Sequence, residues 1–280
     1  MLVSASGAPS AVPVPLASRD FGGAGRAPLV VVHGFLGSSR NWQLTGRDLT
    51  GHGHVHALDL RNHGDSGRAN DMSWDALVAD ILAWCAGQGI SRARFLGHSL
   101  GGKVLMRLAC AAPALVENLV VVDIAPKSYA FQSHRHELAA LLDLELTGLA
   151  TRAEAEMRLE GRVPDLAMRK FLLTNLGRAE DGSWRWLVPL PWLASALPTL
   201  ETSPLEADMR FVGSTTFLLG GQSRYVTEED HAVIRHHFPN TVIETIAAAG
   251  HNPHMDSRTE FVDRVATALH RGGSAPRPEP

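Results

Sequence analysis

The stretch that decides the fold is Phe95-Leu96-Gly97-His98-Ser99-Leu100-Gly101-Gly102-Lys103-Val104-Leu105-Met106. Its approach, "ARFLGHS" from Ala93, reads as a strand. A run of good helix formers follows. Between the two, Gly97, Ser99 and Gly101 fit the pattern G-x-S-x-G, in which a strand turns sharply into a helix. Such a turn strains the backbone of the central residue and projects its side chain. Side chains two positions to either side would collide, so glycine is used there. A hydroxyl at that point meets the amides and dipole of a helix N-terminus, which favour developing negative charge. The pattern is short enough to arise by chance, and a tight connection with a capping serine also explains it. Its neighbours must discriminate.

Outward from this elbow, strand and helix signals alternate. "LVVVHG" from Leu29 is a β-branched run that stops at Gly34, as a strand buried on both faces would. "HVHALDL", "NLVVVDIAP", "STTFLLGG" and "TVIETIAAAGH" supply further strands. In "SWDALVADILAWCAGQG", Trp74, Leu77, Val78, Ile81, Leu82 and Cys85 follow the spacing of an amphipathic helix, with Ser73 as its N-cap. "TEEDHAVIRHHF", capped by Thr227, and "TEFVDRVATALHR" are helices too. Alternation of this kind predicts a mostly parallel, doubly wound α/β sheet with helices on both faces. The rhythm breaks between residues 127 and 205, where helix-like stretches and the aromatic run "SWRWLVPLPWL" are too long for a plain crossover. We expect an α/β core over residues 1–126 and 206–270, a helical cap over 127–205, and a disordered Gly/Pro-rich tail over 271–280.

Composition narrows the function classes. The chain has 280 residues, a formal charge of −3 and 20% charged residues, so it carries no basic footprint for nucleic acid. Its two cysteines, Cys85 and Cys110, lie in apolar helical segments and read as small buried hydrophobes. No apolar run reaches the ~18 residues a membrane span requires. The N-terminus has neither a basic region ahead of an apolar stretch nor an Arg-rich character, so a cytoplasmic location is expected.

An acyl-transfer site needs a nucleophile, a base, an acid to orient the base, and donors for the oxyanion. Ser99 is the candidate nucleophile. "HGFLGS" follows the first clear strand, and Gly34 lets the chain turn so that the Phe35 amide faces the site; with the Leu100 amide it forms an expected oxyanion pair. In "AAAGHNPHMD", His251 follows the last strand and stands in the chain order expected of the base; His254 is a second choice. The acid departs from the commonest arrangement, because the loop "GGQSRYV" carries Ser223 and no carboxylate. Asp123, ending "NLVVVD", is a lone acid at the end of a buried strand and must be bonded there. His251 Nδ1 is a suitable donor. Glu228 and Glu229 remain alternatives, although the helix start already explains them. Ser223 is a possible supporting residue, and His98, Trp184, Trp186 and Trp192 are candidate pocket residues.

These stretches resemble the α/β-hydrolase superfamily, more narrowly the small bacterial esterases related to the mammalian abhydrolase-domain-11 protein. "VVHGFLGS", "LDLRNHGDS", "LGHSLGGKVLM", "VVDIAPKSY", "FLLTNL", "LLGGQSRYV" and "AGHNPHMD" carry the resemblance over residues 29–269. It implies the α/β-hydrolase fold, Ser99 as nucleophile, His251 as base, Asp123 as acid, and hydrolysis of carboxylic esters or thioesters without metal or organic cofactor. "HNPH" after the base departs from relatives that carry an aromatic there, which bears on pocket shape.

The expected substrate is a small acyl ester or thioester with a short to medium acyl chain, handled by a monomer or homodimer. Three rivals stand beside this reading. A perhydrolase or acyltransferase uses the same triad with another acceptor. A non-catalytic binding protein keeps the fold without turnover. A metallohydrolase would draw on His52, His54 and His56, which share one face of a strand. The familiar H-x-H-x-D-H spacing fails, because Leu58 stands where its Asp belongs and Asp59 where the next His belongs.

Overall fold

The computed structural model describes residues 11–129 and 132–271. The main sheet has seven strands: β1 (Ser18–Gly22), β2 (Pro28–Val32), β3 (His54–Leu58), β4 (Ala93–His98), β5 (Val116–Val122), β8 (Thr215–Gly220) and β9 (Thr241–Ile246). Their order is β1-β3-β2-β4-β5-β8-β9. Every pairing is parallel except β1 with β3. The doubly wound α/β expectation therefore holds, with one addition. The edge strand β1 reads "SRDFG", a polar and half-exposed segment with no apolar run to announce it.

The central strands explain why helices lie on both faces. Val30, Val32, Phe95, Leu119 and Val121 point into one apolar cluster, whereas Leu29, Val31, Leu96, Val120 and Val122 point into another. Period-two alternation thus yields two buried faces, because both sets are apolar. Helices α1 (Trp74–Gly87) and α2 (Leu100–Ala111) cover the first. Phe261, Val265 and Ala268 of α8 (Arg258–His270) cover the second. Ser73 caps α1 by accepting from the Ala76 amide. Cys85 and Cys110 are unpaired, and burial pushes both thiols up to about 11.

Between β5 and β8 the chain forms α3 (Gln132–Leu142), α4 (Arg152–Leu159), α5 (Leu166–Leu172), the hairpin β6 (Leu176–Arg178) with β7 (Trp184–Trp186), and α6 (Leu190–Leu200). A further helix, α7 (His231–His237), joins β8 to β9 behind a capping box at Thr227. We propose that the 127–205 segment is a cap, since α3, α5 and α6 supply side chains to the cavities above Ser99. Residues 272–280 of the expected tail lie outside the described residues. Among the described residues, no helix is long and apolar enough to cross a membrane.

One buried cation ties cap to core. Lys103, one turn past the elbow, is 1% exposed, and its Nζ donates to the Leu200 carbonyl at 2.9 Å and the Thr202 carbonyl at 2.5 Å. It also lies over the rings of Trp74 and Tyr129. An ammonium at the C-terminal end of α6 meets carbonyls that the helix itself leaves unpaired. Burial nevertheless pulls the Lys103 pKa down to about 7.

Candidate active site

Ser99 sits between β4 and α2 with φ 50° and ψ −117°, a strained conformation for any residue with a side chain. Three close approaches hold it there. A Cβ on Gly97 would lie 2.6 Å from the Gly101 carbonyl oxygen, and one on Gly101 would lie 2.6 Å from the carbonyl oxygens of Val32 and His33. A Cβ on Gly34 would meet His98 Nδ1 at 2.9 Å and Ser99 Cβ at 3.3 Å. The glycines therefore let the elbow and the loop after β2 pack backbone to backbone. The Ser99 amide donates to Val122 and the Gly101 amide to His33, pinning the turn across neighbouring strands.

The loop after β2 carries the Phe35 amide. Two buried, neutral histidines shape it. His33 Nε2 accepts from the Leu60 amide at 3.0 Å, and its Nδ1 donates to the Gly34 carbonyl at 2.7 Å. His63 Nε2 accepts from the Leu36 amide at 3.1 Å, and its Nδ1 donates to the Arg61 carbonyl. Burial lowers both pKa values, that of His63 to about 3, which keeps one nitrogen of each ring an acceptor. Asp59 accepts from the amides of Ser39 and Asp65. The stretch "LDLRNHGDS" thus serves as the brace of the loop after β2, which carries the candidate oxyanion amide of Phe35. Among the described residues, neither the Phe35 nor the Leu100 amide donates to a protein acceptor, so both are free for a ligand oxygen.

Asp123 follows β5 with φ 51° and is fully buried. Its Oδ1 accepts from the Gly220 amide at 3.0 Å, and its Oδ2 accepts from His251 Nδ1 at 2.7 Å and Ser223 Oγ at 2.5 Å. The structure therefore brings Asp123, His251 and Ser223 together. Glu228 and Glu229 instead begin the turn capped by Thr227. His251 lies on the loop after β9, its carbonyl held by His98 Nε2 at 2.7 Å. Ser99 and His251 line the same cavity of about 460 Å³. No hydrogen bond joins Ser99 Oγ to the imidazole here; such contacts commonly form or tighten only when substrate is bound. His254, the second choice of base, is 4% exposed and stacked on Trp42 at 4.4 Å. Burial takes its pKa to about 3, which suits packing and not proton transfer.

Tyr225 was not singled out from the sequence, yet its ring stacks on His251 at 3.5 Å and 12°. "HNPH" places no aromatic beside the base, but "SRYV" supplies one from the neighbouring loop. The tryptophan expectation needs correction. Trp184, Trp186 and Trp192 line neither cavity that meets Ser99. Trp184 Nε1 donates to the Leu149 carbonyl, and the Arg178 guanidinium covers its ring at 3.8 Å. An indole needs a partner for its N–H when half-buried, and the cap supplies one away from the site. His98 does line the large cavity, although its Nε2 is occupied by the His251 carbonyl. The alternating histidines lie at the start of β3, at the opposite end of the sheet from Ser99. His54 Nε2 pairs with Asp20 at 2.9 Å, His56 packs against Trp84, and His52 packs against His270.

A strained serine between strand and helix, sharing a cavity with a histidine–carboxylate pair from later strands, is the arrangement that a whole-chain family match must explain. The model of the alpha/beta hydrolase family matches residues 29–264. The chain belongs to this family. It is 35% identical to the mouse protein named sn-1-specific diacylglycerol lipase ABHD11, over 92% of this chain and 86% of that one. It is 32% identical to esterase YbfF of Escherichia coli (strain K12), over 88% of this chain and 92% of that one. A solved structure described as a marine microorganism esterase superposes with a TM-score of 0.88 at 31% identity, covering 91% and 99% of the two chains. This member of the alpha/beta hydrolase family is therefore a hydrolase of the esterase and lipase type related to ABHD11.

Proposed function

We propose that the protein is a serine esterase that cleaves short-acyl esters through an acyl-enzyme at Ser99. The observation that carries this is the 2.7 Å bond from His251 Nδ1 to buried Asp123, placed on the cavity that the strained Ser99 also lines. Asp123 fixes the tautomer, leaving Nε2 free to act as base. His251 takes the Ser99 proton as Oγ bonds to the acyl carbon, and the carbonyl oxygen gathers charge between the Phe35 and Leu100 amides. The bond to the leaving oxygen or sulfur then breaks as His251 returns that proton to it. Water repeats the sequence, freeing the acid and restoring the Ser99 hydroxyl.

The two cavities divide the substrate. The leaving atom must face His251, which lines only the large cavity. The acyl tail then takes the other opening at Ser99, a slot of about 20 Å³ walled by Phe35, Leu100, Ile124, Leu197 and Leu200, with Lys103 also on its lining. Such a slot holds little more than one water-sized group, so an acetyl or propionyl tail fits with least displacement. A p-nitrophenyl ester series from two to ten carbons tests this. We expect the highest kcat/KM at two to four carbons and none in Ser99→Ala; a maximum at eight or ten carbons contradicts the reading. A second reading, acyl transfer to an alcohol, is supported by 28% identity to ethanol acetyltransferase 1 of Cyberlindnera fabianii over 89% of this chain. The large cavity has room for such an acceptor.

A further inference from the structure

We propose that the leaving-group cavity selects by charge, favouring esters and thioesters of cationic amino-alcohols or amino-thiols over neutral ones and disfavouring anionic leaving groups such as nucleotide-linked thiols. This rests on the serine-esterase reading and deepens it. The cavity wall contains Glu137, Asp165 and Asp256, and no lysine or arginine. Asp165 is engaged by the Met168 amide at 2.6 Å, and Asp256 by the Gly250 amide at 2.9 Å. Both bonds come from neutral donors, and among the described residues neither carboxylate has an ion-pair partner. Glu137 pairs with a histidine, His134, at 3.0 Å.

Of the other histidines on the wall, His251 is paired with Asp123, and three do not balance this charge. Burial drives His33, His98 and His254 toward the neutral form. The one buried lysine nearby, Lys103, lines the acyl slot on the other side of Ser99 and is committed to two carbonyls of the cap. The negative wall therefore stands where the leaving group must sit. The rings of Tyr225, Phe35 and Phe171 share that wall, and aromatic faces attract an ammonium for the same electrostatic reason. Like charge on wall and ligand costs binding, and a low-dielectric cleft concentrates the effect. Asp165 and Asp256 are solvent-exposed, so salt should weaken the selection.

The test uses three size-matched thioacetates on the full chain at low ionic strength: acetylthiocholine, its uncharged 3,3-dimethylbutyl isostere, and S-acetyl mercaptoethanesulfonate. Released thiol is followed continuously. We expect kcat/KM to fall by about tenfold at each step from cation to neutral to anion. Glu137→Gln/Asp165→Asn/Asp256→Asn should compress the order toward one value, as should added salt. Asp165→Asn keeps a capping side chain, and Asp256→Asn alone, expected to give a smaller compression, serves if the triple variant does not fold. The proposal is overturned if the anion is turned over as fast as the isostere, or if the neutralised variants keep the wild-type ratios. Ser99-dependent cleavage of the isostere without a charge order sinks only this inference. Failure on all three thioacetates and on p-nitrophenyl acetate sinks the esterase reading with it.

Discussion

The rim of the core sheet and the cap above it are built from different kinds of contact. On the rim, the groups at the site are held by backbone bonds between neighbouring strands or by bonds from buried histidine side chains. Ser99 leans on Val122, Asp123 on Leu218, and the loop after β2 on His33 and His63. In the cap, Leu197 and Leu200 of α6 line the slot at Ser99, His134 of α3 lines both cavities, and Glu137 of α3 with Met168 and Phe171 of α5 line the large one. One link between the two regions is the Lys103 bond to the end of α6, and another is Asn175 Nδ2, which donates to the Leu36 carbonyl at 2.9 Å. Rigid positioning belongs to the rim and shape selection to the cap, so changes in the two should fail in different ways.

The largest effects belong to the rim. Asp123→Asn should reduce kcat on an aryl acetate by about 10⁴, because the amide presents a donor to Nδ1 and favours the wrong tautomer. Near-wild-type turnover would remove Asp123 from the acid role. Ser223→Ala should cost less than about tenfold, since the Gly220 amide and His251 still satisfy the carboxylate.

In the cap, Leu200→Ala should lengthen the preferred acyl chain, raising the six-carbon to two-carbon ratio of kcat/KM roughly tenfold while leaving the reaction Ser99-dependent. An unchanged ratio would mean that the slot does not hold the acyl tail. Trp192→Ala should leave that ratio unaltered, since this side chain lines neither cavity.

The link between regions has its own signature. Lys103→Met should uncouple the cap from α2 and lower stability by about 1–3 kcal/mol, from the two lost bonds to a charged donor. The Lys103 pKa is depressed in the folded state to about 7, against 10.5 for an unhindered lysine. The unfolded chain therefore binds more protons between those values, and folding gains stability as pH rises through that window. Chemical denaturation at pH 7 and 9 should show the gap between wild type and Lys103→Met widening at the higher pH. A gap that narrows would contradict the lowered pKa of Lys103.

A smaller effect is expected in acid. His254 has a folded pKa of about 3 against 6.5 when unhindered, so its contribution to stability is lost as pH falls below 6.5. His254→Phe, which keeps the stack on Trp42, should flatten the fall in Tm between pH 6.5 and 4. An identical slope in both proteins would rule out protonation at His254.

The two regions also differed in how far they could be read from sequence. Ser99, Asp123 and His251 each follow a β-strand signal, and each is a polar residue where an apolar run or a glycine sets the backbone. Their bonding needs limit the partners: a buried carboxylate after β5 had to find a donor, and His251 was the one with the right chain position. The edge strand β1 escaped because its residues are half-exposed and follow no apolar pattern. Three helices of the cap were legible, but α6, the β6–β7 hairpin and the contacts of the cap were not. Trp192 lies on α6 together with Leu197 and Leu200, yet only the leucines reach the slot. A helical period tells which residues share a face, and the loops alone determine what that face meets. Tyr225 was hidden for the same reason, since its stack on His251 joins two loops from different strands.

Intact-mass spectrometry after exposure to a fluorophosphonate tests the central claim most directly, because only an activated serine is phosphonylated at a useful rate. A single adduct mapping to Ser99 in the wild type, absent from Ser99→Ala and formed far more slowly in His251→Ala, is the result predicted. A wild-type protein that stays unmodified while hydrolysing esters, or an adduct that persists in Ser99→Ala, would contradict it.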